Sequence, residues 1–143
     1  MAEAREISDR YTDLINAHDA EAIAELYADD GVLSDPSGEY RGREAIVEYW
    51  QGFFQAFPDM TGQDEFKAES GDTAINEWSA SGTNEGPLET PQGSIPATGK
   101  RVTIRGCDAL TVRGGLVTSH RVYYDQLSFM TQLGLAPEGA AAG

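Results

Sequence analysis

The chain has 143 residues, 40% hydrophobic and 24% charged, which fits one globular domain with a single core. Ten basic against 24 acidic residues leave a formal net charge of -14. So acidic a surface keeps a protein in solution, repels phosphate backbones and anionic lipid, and argues against nucleic-acid and membrane partners. No run approaches the roughly 18 consecutive apolar residues of a membrane span. "MAEAREISDRYTDL" lacks the basic-then-apolar order of a secretory signal, so a cytoplasmic setting is expected. A lone Cys107 allows no internal disulfide. The expected partner is a small organic molecule.

Ala4, Ile7, Tyr11, Leu14, Ile15 and His18 recur at spacings of three and four, which predicts a first helix. Asp19 reads as the N-cap of a short second helix, "AEAIAELYA", with Ile23, Leu26 and Tyr27 inward. "GVLSD" is strand-like, stops at Pro36, and is followed by "SGEYRG" as a loop. A third helix is expected from Arg43 to Phe57, its stripe formed by Ile46, Val47, Trp50, Phe53, Phe54 and Phe57, ended by Pro58. The period then changes to two. "DEFKAES" and "TAINEWSASGT" alternate as neighbouring strands around a Gly71-Asp72 turn. Asn84 to Lys100, with three prolines and three glycines, reads as a long loop that lids or shapes a pocket. "RVTIRGCDALTV" and "LVTSHRVYY" form two strands joined by "RGG", and Asp125 caps a final helix, "QLSFMTQLG". Helices segregated from a meander imply an α+β fold whose curved sheet leaves a cone-shaped pocket.

Asp108 lies in the middle of the apolar face made by Val102, Ile104, Gly106, Leu110 and Val112. Desolvation of a carboxylate there is expected to raise its pKa. With a hairpin loop of Arg113 to Gly115, Asp108 falls opposite His120; with Gly114-Gly115 alone it falls opposite Arg121. The first register keeps Leu116, Val122 and Tyr124 on the apolar face and is preferred. Tyr11 lies on the inward stripe of the first helix, where a phenol needs a partner. Asp35, at a strand end before Pro36, is either a turn cap or a pocket carboxylate. No Gly-rich phosphate loop, nucleophile elbow or zinc-ligand spacing is present, which leaves general acid–base chemistry without cofactor or metal.

Two resemblances follow. "RYTDLINAHDAEAIAELYADDGVLSDPSGEYRGREAIVEYW" and "CDALTV" resemble ketosteroid isomerase. That likeness implies a general base at Asp35 and an oxyanion-stabilising pair at Tyr11 and protonated Asp108, the arrangement for which that enzyme is a standard example. "GTNEGPLETPQGSIPATGKRVTIRGCDALTVRGGLVTSHRVYYDQLSFMTQLG" is similar to SnoaL-like polyketide cyclases, which close rings by aldol condensation with an aspartate acid–base. Asn84 stands where that group often has His, and Arg121 where Trp usually follows the late His. The limonene epoxide hydrolase pattern is fainter, since its middle-strand Arg-x-Asp reads Trp78 to Ala80 and its late acid is Val122. Related polyether cyclases would open an epoxide with Asp35 and Asp108.

Together these imply a cone-shaped fold of the nuclear transport factor 2-like superfamily, with three N-terminal helices on a curved antiparallel sheet. One domain is expected over 1–135, with a flexible tail at 136–143. The implied function is an isomerase or cyclase of hydrophobic polyketide- or steroid-like ketones, with epoxide opening or plain ligand binding as alternatives. Asp35, Tyr11, Asp108 and His120 would carry the chemistry, and Trp50, Phe53, Phe54 and Tyr124 the apolar wall. The resemblance also implies a homodimer.

Overall fold

The computed structural model describes residues 3–90 and 93–135; the tail expected at 136–143 lies outside them. Helix α1 (Glu3–Asn16) is followed by α2 (Ala20–Glu25), whose first turn is closed by Asp19 accepting from the Ala22 amide. Strand β1 (Tyr27–Asp35) and β2 (Gly38–Arg41) form a hairpin, so the segment expected to be a loop is partly strand. The second helix is also shorter than its periodicity suggests. Tyr27 already belongs to β1, paired with Val117, so tertiary pairing overrides the local pattern.

Helix α3 (Arg43–Ala56) leads to β3 (Thr61–Ser70) and β4 (Thr73–Thr83). The Asn84 to Lys100 segment is more ordered than expected, because β5 (Leu88–Thr90) and β6 (Gly93–Ile95) pair within it. Strands β7 (Arg101–Arg113) and β8 (Leu116–Tyr124) precede α4 (Gln126–Gln132), capped by Asp125.

The main sheet runs β2-β1-β8-β7-β4-β3. It is mixed, because β1 runs parallel to β8 while its other neighbouring strands are antiparallel. Helices α1 and α3 cover one face with a core of Tyr11, Ile23, Tyr27, Leu33, Ile46, Trp50 and Leu110. A second cluster, Ala56, Phe57, Leu88, Val102, Phe129 and Leu133, ties the β5–β6 hairpin to α4. Burying such side chains contributes about 1.5–3 kcal/mol each before entropy is charged.

The β7–β8 hairpin corrects both expected registers. Its loop is Gly114-Gly115, with positive φ at both positions, as a two-residue turn requires. The pairing then shifts between Thr111 and Val112, so Asp108 faces Val122 and His120 faces Leu110. An extra residue in β8 keeps the apolar sets of both strands on one face.

Candidate functional site

A cavity of about 100 Å³ lies between α1, α3 and the covered face of the sheet. Tyr11 and Thr12 reach it from α1, Tyr49, Trp50 and Phe53 from α3, Asp64 from β3, Asn76 and Trp78 from β4, Asp108 from β7 and His120 from β8. A wider open recess of about 940 Å³ lies outside it, walled by α3, α4 and the β5–β6 hairpin. Tyr49, Phe53, Tyr124 and Phe129 belong to both and form the partition between them.

A line of hydrogen bonds runs through the interior. Trp50 Nε1–H donates to the Tyr11 hydroxyl at 2.9 Å, and the hydroxyls of Tyr11 and Tyr27 are 2.8 Å apart. Tyr27 Oη lies 2.9 Å from His120 Nδ1, and His120 Nε2 lies 2.8 Å from Asp108 Oδ2. His120 and Tyr27 are almost wholly buried, and the Asp108 side chain is 14% exposed. The Asp108–His120 contact is therefore present, made on the diagonal between strands and not between direct partners. Burial pushes the Tyr11 and Tyr27 phenols well above their usual range; at Tyr11 bonds to Tyr27 and Trp50 pull the other way but do not offset it.

The carboxyls around the cavity differ in how fully the protein occupies them. Asp64 Oδ1 accepts from Thr12 at 2.8 Å and Asn76 at 2.9 Å, while Oδ2 pairs with the buried Lys67 at 3.1 Å. Asp108 Oδ2 is held by His120, but Oδ1 is buried and has no donor among the described residues. Its direct partner in β4, Asn76, likewise has an Oδ1 without a donor among the described residues.

Asp35 does not line the cavity. Its Oδ1 accepts from the amide and hydroxyl of Ser37 at 2.7 and 2.6 Å, and its Oδ2 accepts from Tyr49 Oη at 2.6 Å. Two of these bonds make the side-chain turn typical of Asp before Pro. The third fixes Tyr49, one of the residues between cavity and recess. Phe54 also stands outside the cavity wall, stacked on His18 with ring centroids 4.5 Å apart. Tyr11, Asp108, His120, Trp50, Phe53 and Tyr124 all line it. Among the described residues no group of three or more His, Cys, Asp or Glu could hold a metal ion.

The model of the SnoaL-like domain matches residues 8–120, which contain every polar member of this chain of bonds. The chain belongs to the SnoaL-like family. Solved structures agree. A SnoaL-like polyketide cyclase, so named, from Jannaschia sp. CCS1 superposes with a TM-score of 0.82 at 20% identity, covering 95% of this chain and 94% of that one. IdmH from Streptomyces antibioticus, also named a polyketide cyclase, gives 0.74 at 26% identity, with 92% and 98% covered. SalBIII, named as an epoxide hydrolase/cyclase-like enzyme with a role in pyran-ring formation in the polyether salinomycin, gives 0.70 at 25%, with 90% and 92% covered. The fold is that of the nuclear transport factor 2-like, ketosteroid isomerase-like group.

Several polar residues of this SnoaL-like domain, Asp64 and Thr12 among them, have no clear signature in the sequence. Tyr27 was hidden by its fit to a helical stripe. Tyr49 fell outside the apolar stripe of α3. Asn76 left a faint trace, as the one polar side chain among Ala74, Trp78 and Ala80 on the inward face of β4.

Proposed function

We propose that the protein is an acid–base isomerase or cyclase of a hydrophobic, polyketide- or steroid-like ketone, with Asp108 as the group that moves the proton. One observation carries this reading. Among the described residues two carboxyls line the cavity: Asp64 is fully engaged, whereas Asp108 keeps one oxygen unclaimed while His120 holds the other. Held in this way, Asp108 takes a proton from the carbon next to the substrate carbonyl. In an isomerisation it returns that proton to another carbon. In an aldol closure the new enolate forms the carbon–carbon bond and the resulting alkoxide takes the proton back. His120 orients the carboxyl, and Trp50, Phe53 and Tyr124 supply the apolar wall. Asp35, the base that the ketosteroid isomerase likeness implies, instead holds the turn and Tyr49.

The likeness to SalBIII favours a second reading, epoxide opening, in which Asp108 protonates or deprotonates oxygen instead of carbon. For assembly we propose the homodimer implied by the family resemblance.

The test is hydrogen–deuterium exchange at the α-carbon of a β,γ-unsaturated cyclic ketone in D₂O. Asp108→Asn is expected to slow it about 10²–10⁴-fold, the usual worth of a positioned general base, and Asp35→Asn to leave it within about threefold. Equal loss in both variants would overturn the assignment.

A further inference from the structure

Strands β8, β7, β4 and β3 lie side by side, and His120, Asp108, Asn76 and Asp64, one from each, line the cavity. The row can be followed link by link. His120 Nε2 on β8 lies 2.8 Å from Asp108 Oδ2 on β7. At the far end Asn76 Nδ2 on β4 donates to Asp64 Oδ1 on β3 at 2.9 Å, and Lys67 holds Asp64 Oδ2 at 3.1 Å. Asn76 is the direct register partner of Asp108 and is only 4% exposed. With its nitrogen drawn toward β3, the Asn76 amide leaves its oxygen for the β7 side. With Oδ2 drawn toward β8, Asp108 leaves Oδ1 for the β4 side. Among the described residues these two oxygens are the buried side-chain polar atoms that lack a hydrogen-bond partner. The middle link therefore sets acceptor against acceptor, a costly arrangement, and the row is one hydrogen short. Reversing the Asn76 amide would move the conflict to Asp64 Oδ1, which already accepts from Thr12, without supplying that hydrogen.

We propose that Asn76 is a positioning residue for the transferred proton: its Oδ1 accepts the hydrogen that Asp108 carries once the substrate has given it up. The inference rests on the assignment of Asp108 as base. The substrate C–H bond breaks, its electron pair stays behind as the enolate, and the proton forms an O–H bond on Asp108. His120 holds Oδ2, so the proton rests on Oδ1, and there Asn76 completes the row. When the proton returns to the substrate, the two oxygens face each other unpaired again. Asn76 thus favours the enolate state and does nothing for the bound ketone. An interaction realised only late in the reaction speeds turnover without tightening binding. Asp64, fixed by Lys67 and Thr12, keeps the Asn76 amide turned the right way and never handles the proton itself.

A double-mutant cycle in urea at neutral pH tests the pairing without any substrate. In Asp108→Asn the new side-chain amide can donate to Asn76 Oδ1, which the wild-type carboxylate cannot do. Asn76→Leu should therefore lower the urea midpoint further in the Asp108→Asn background than in the wild type, by about 0.5 M, one net hydrogen bond on a typical urea slope. The lost bond to Asp64 is common to both backgrounds and cancels. Equal falls in the two backgrounds would overturn the pairing. With Asp108 intact, Asn76→Leu should slow α-proton exchange at saturating ketone about tenfold, with KM within about twofold of the wild type. An unchanged rate, or a loss confined to KM, would overturn the role in holding the proton. Should the Leu variant fold poorly, the ¹³C resonance of the Asn76 side-chain carbonyl reports the same contact. It should move downfield when Asp108→Asn supplies a donor, and a resonance that stays put or moves upfield would overturn the proposal. Full exchange activity in Asp108→Asn would instead remove the assignment of the base while leaving the coupling in urea intact, so the two failures are distinct.

Discussion

Asp35 and Asp108 show how two carboxylates in one small domain are given different work by what surrounds them. Asp35 collects three short hydrogen bonds at the turn between β1 and β2, and its partner Tyr49 in turn closes the inner cavity from the outer recess. Burial is the main cause holding the Tyr49 phenol well above its usual range, with the Asp35 carboxylate adding to it, so this pair is a donor–acceptor contact across neutral pH. Asp35→Ala should therefore lower unfolding free energy by about 1.5–3 kcal/mol, the range for bonds to a charged group. Urea denaturation reads this directly. An unchanged midpoint would show that the turn is held by Pro36 and Gly38 alone.

At the scale of elements, the β5–β6 segment is organised by one side chain. Asn84 is buried, donates from Nδ2 to the carbonyls of Ala56 and Gly86 at 3.2 and 2.9 Å, and accepts at Oδ1 from the amide and hydroxyl of Thr98 at 2.7 and 3.0 Å. It thus ties the C-terminal end of α3 to both ends of the hairpin that walls the outer recess. Asn84→Ala removes two donated and two accepted hydrogen bonds inside the protein, and should cost about 2–4 kcal/mol. The signature is local, with faster amide exchange at Thr98 and Gly99; exchange at these amides as slow as in the wild type would contradict it.

The elements also show what the sequence could reveal. Helix periods, the Asp19 and Asp125 caps, the Gly71-Asp72 turn and the strands β4, β7 and β8 are encoded locally and were legible. Asp108 was legible as a charge on an apolar strand face. The β7–β8 register was not, because a bulge carries no clear residue signature between Thr111 and Val117. Tyr27 fits a helical pattern locally, because its partner Val117 lies ninety residues away, beyond any local pattern. The contact between Tyr27 and His120 and the placement of Asp35 outside the cavity arise only once distant strands meet.

Across the whole molecule, four of the six tyrosines, Tyr11, Tyr27, Tyr49 and Tyr124, have phenols raised chiefly by burial. The sign of the linkage is fixed. Below about pH 10 the folded and unfolded chains hold these protons equally, and the tyrosine contribution to stability is complete. Above it the unfolded chain loses them first, so stability falls as pH rises toward the folded values. A pH titration followed by phenolate absorbance and circular dichroism should show these four tyrosines ionising together with loss of structure. Smooth ionisation of all six with the fold intact would contradict their burial.

The central claim concerns which carboxylate moves the proton, and α-carbon deuterium exchange of Asp108→Asn beside Asp35→Asn tests it most directly. A loss of about 10²–10⁴-fold in Asp108→Asn, with Asp35→Asn near the wild type, is the predicted result. The opposite order would return the base to Asp35.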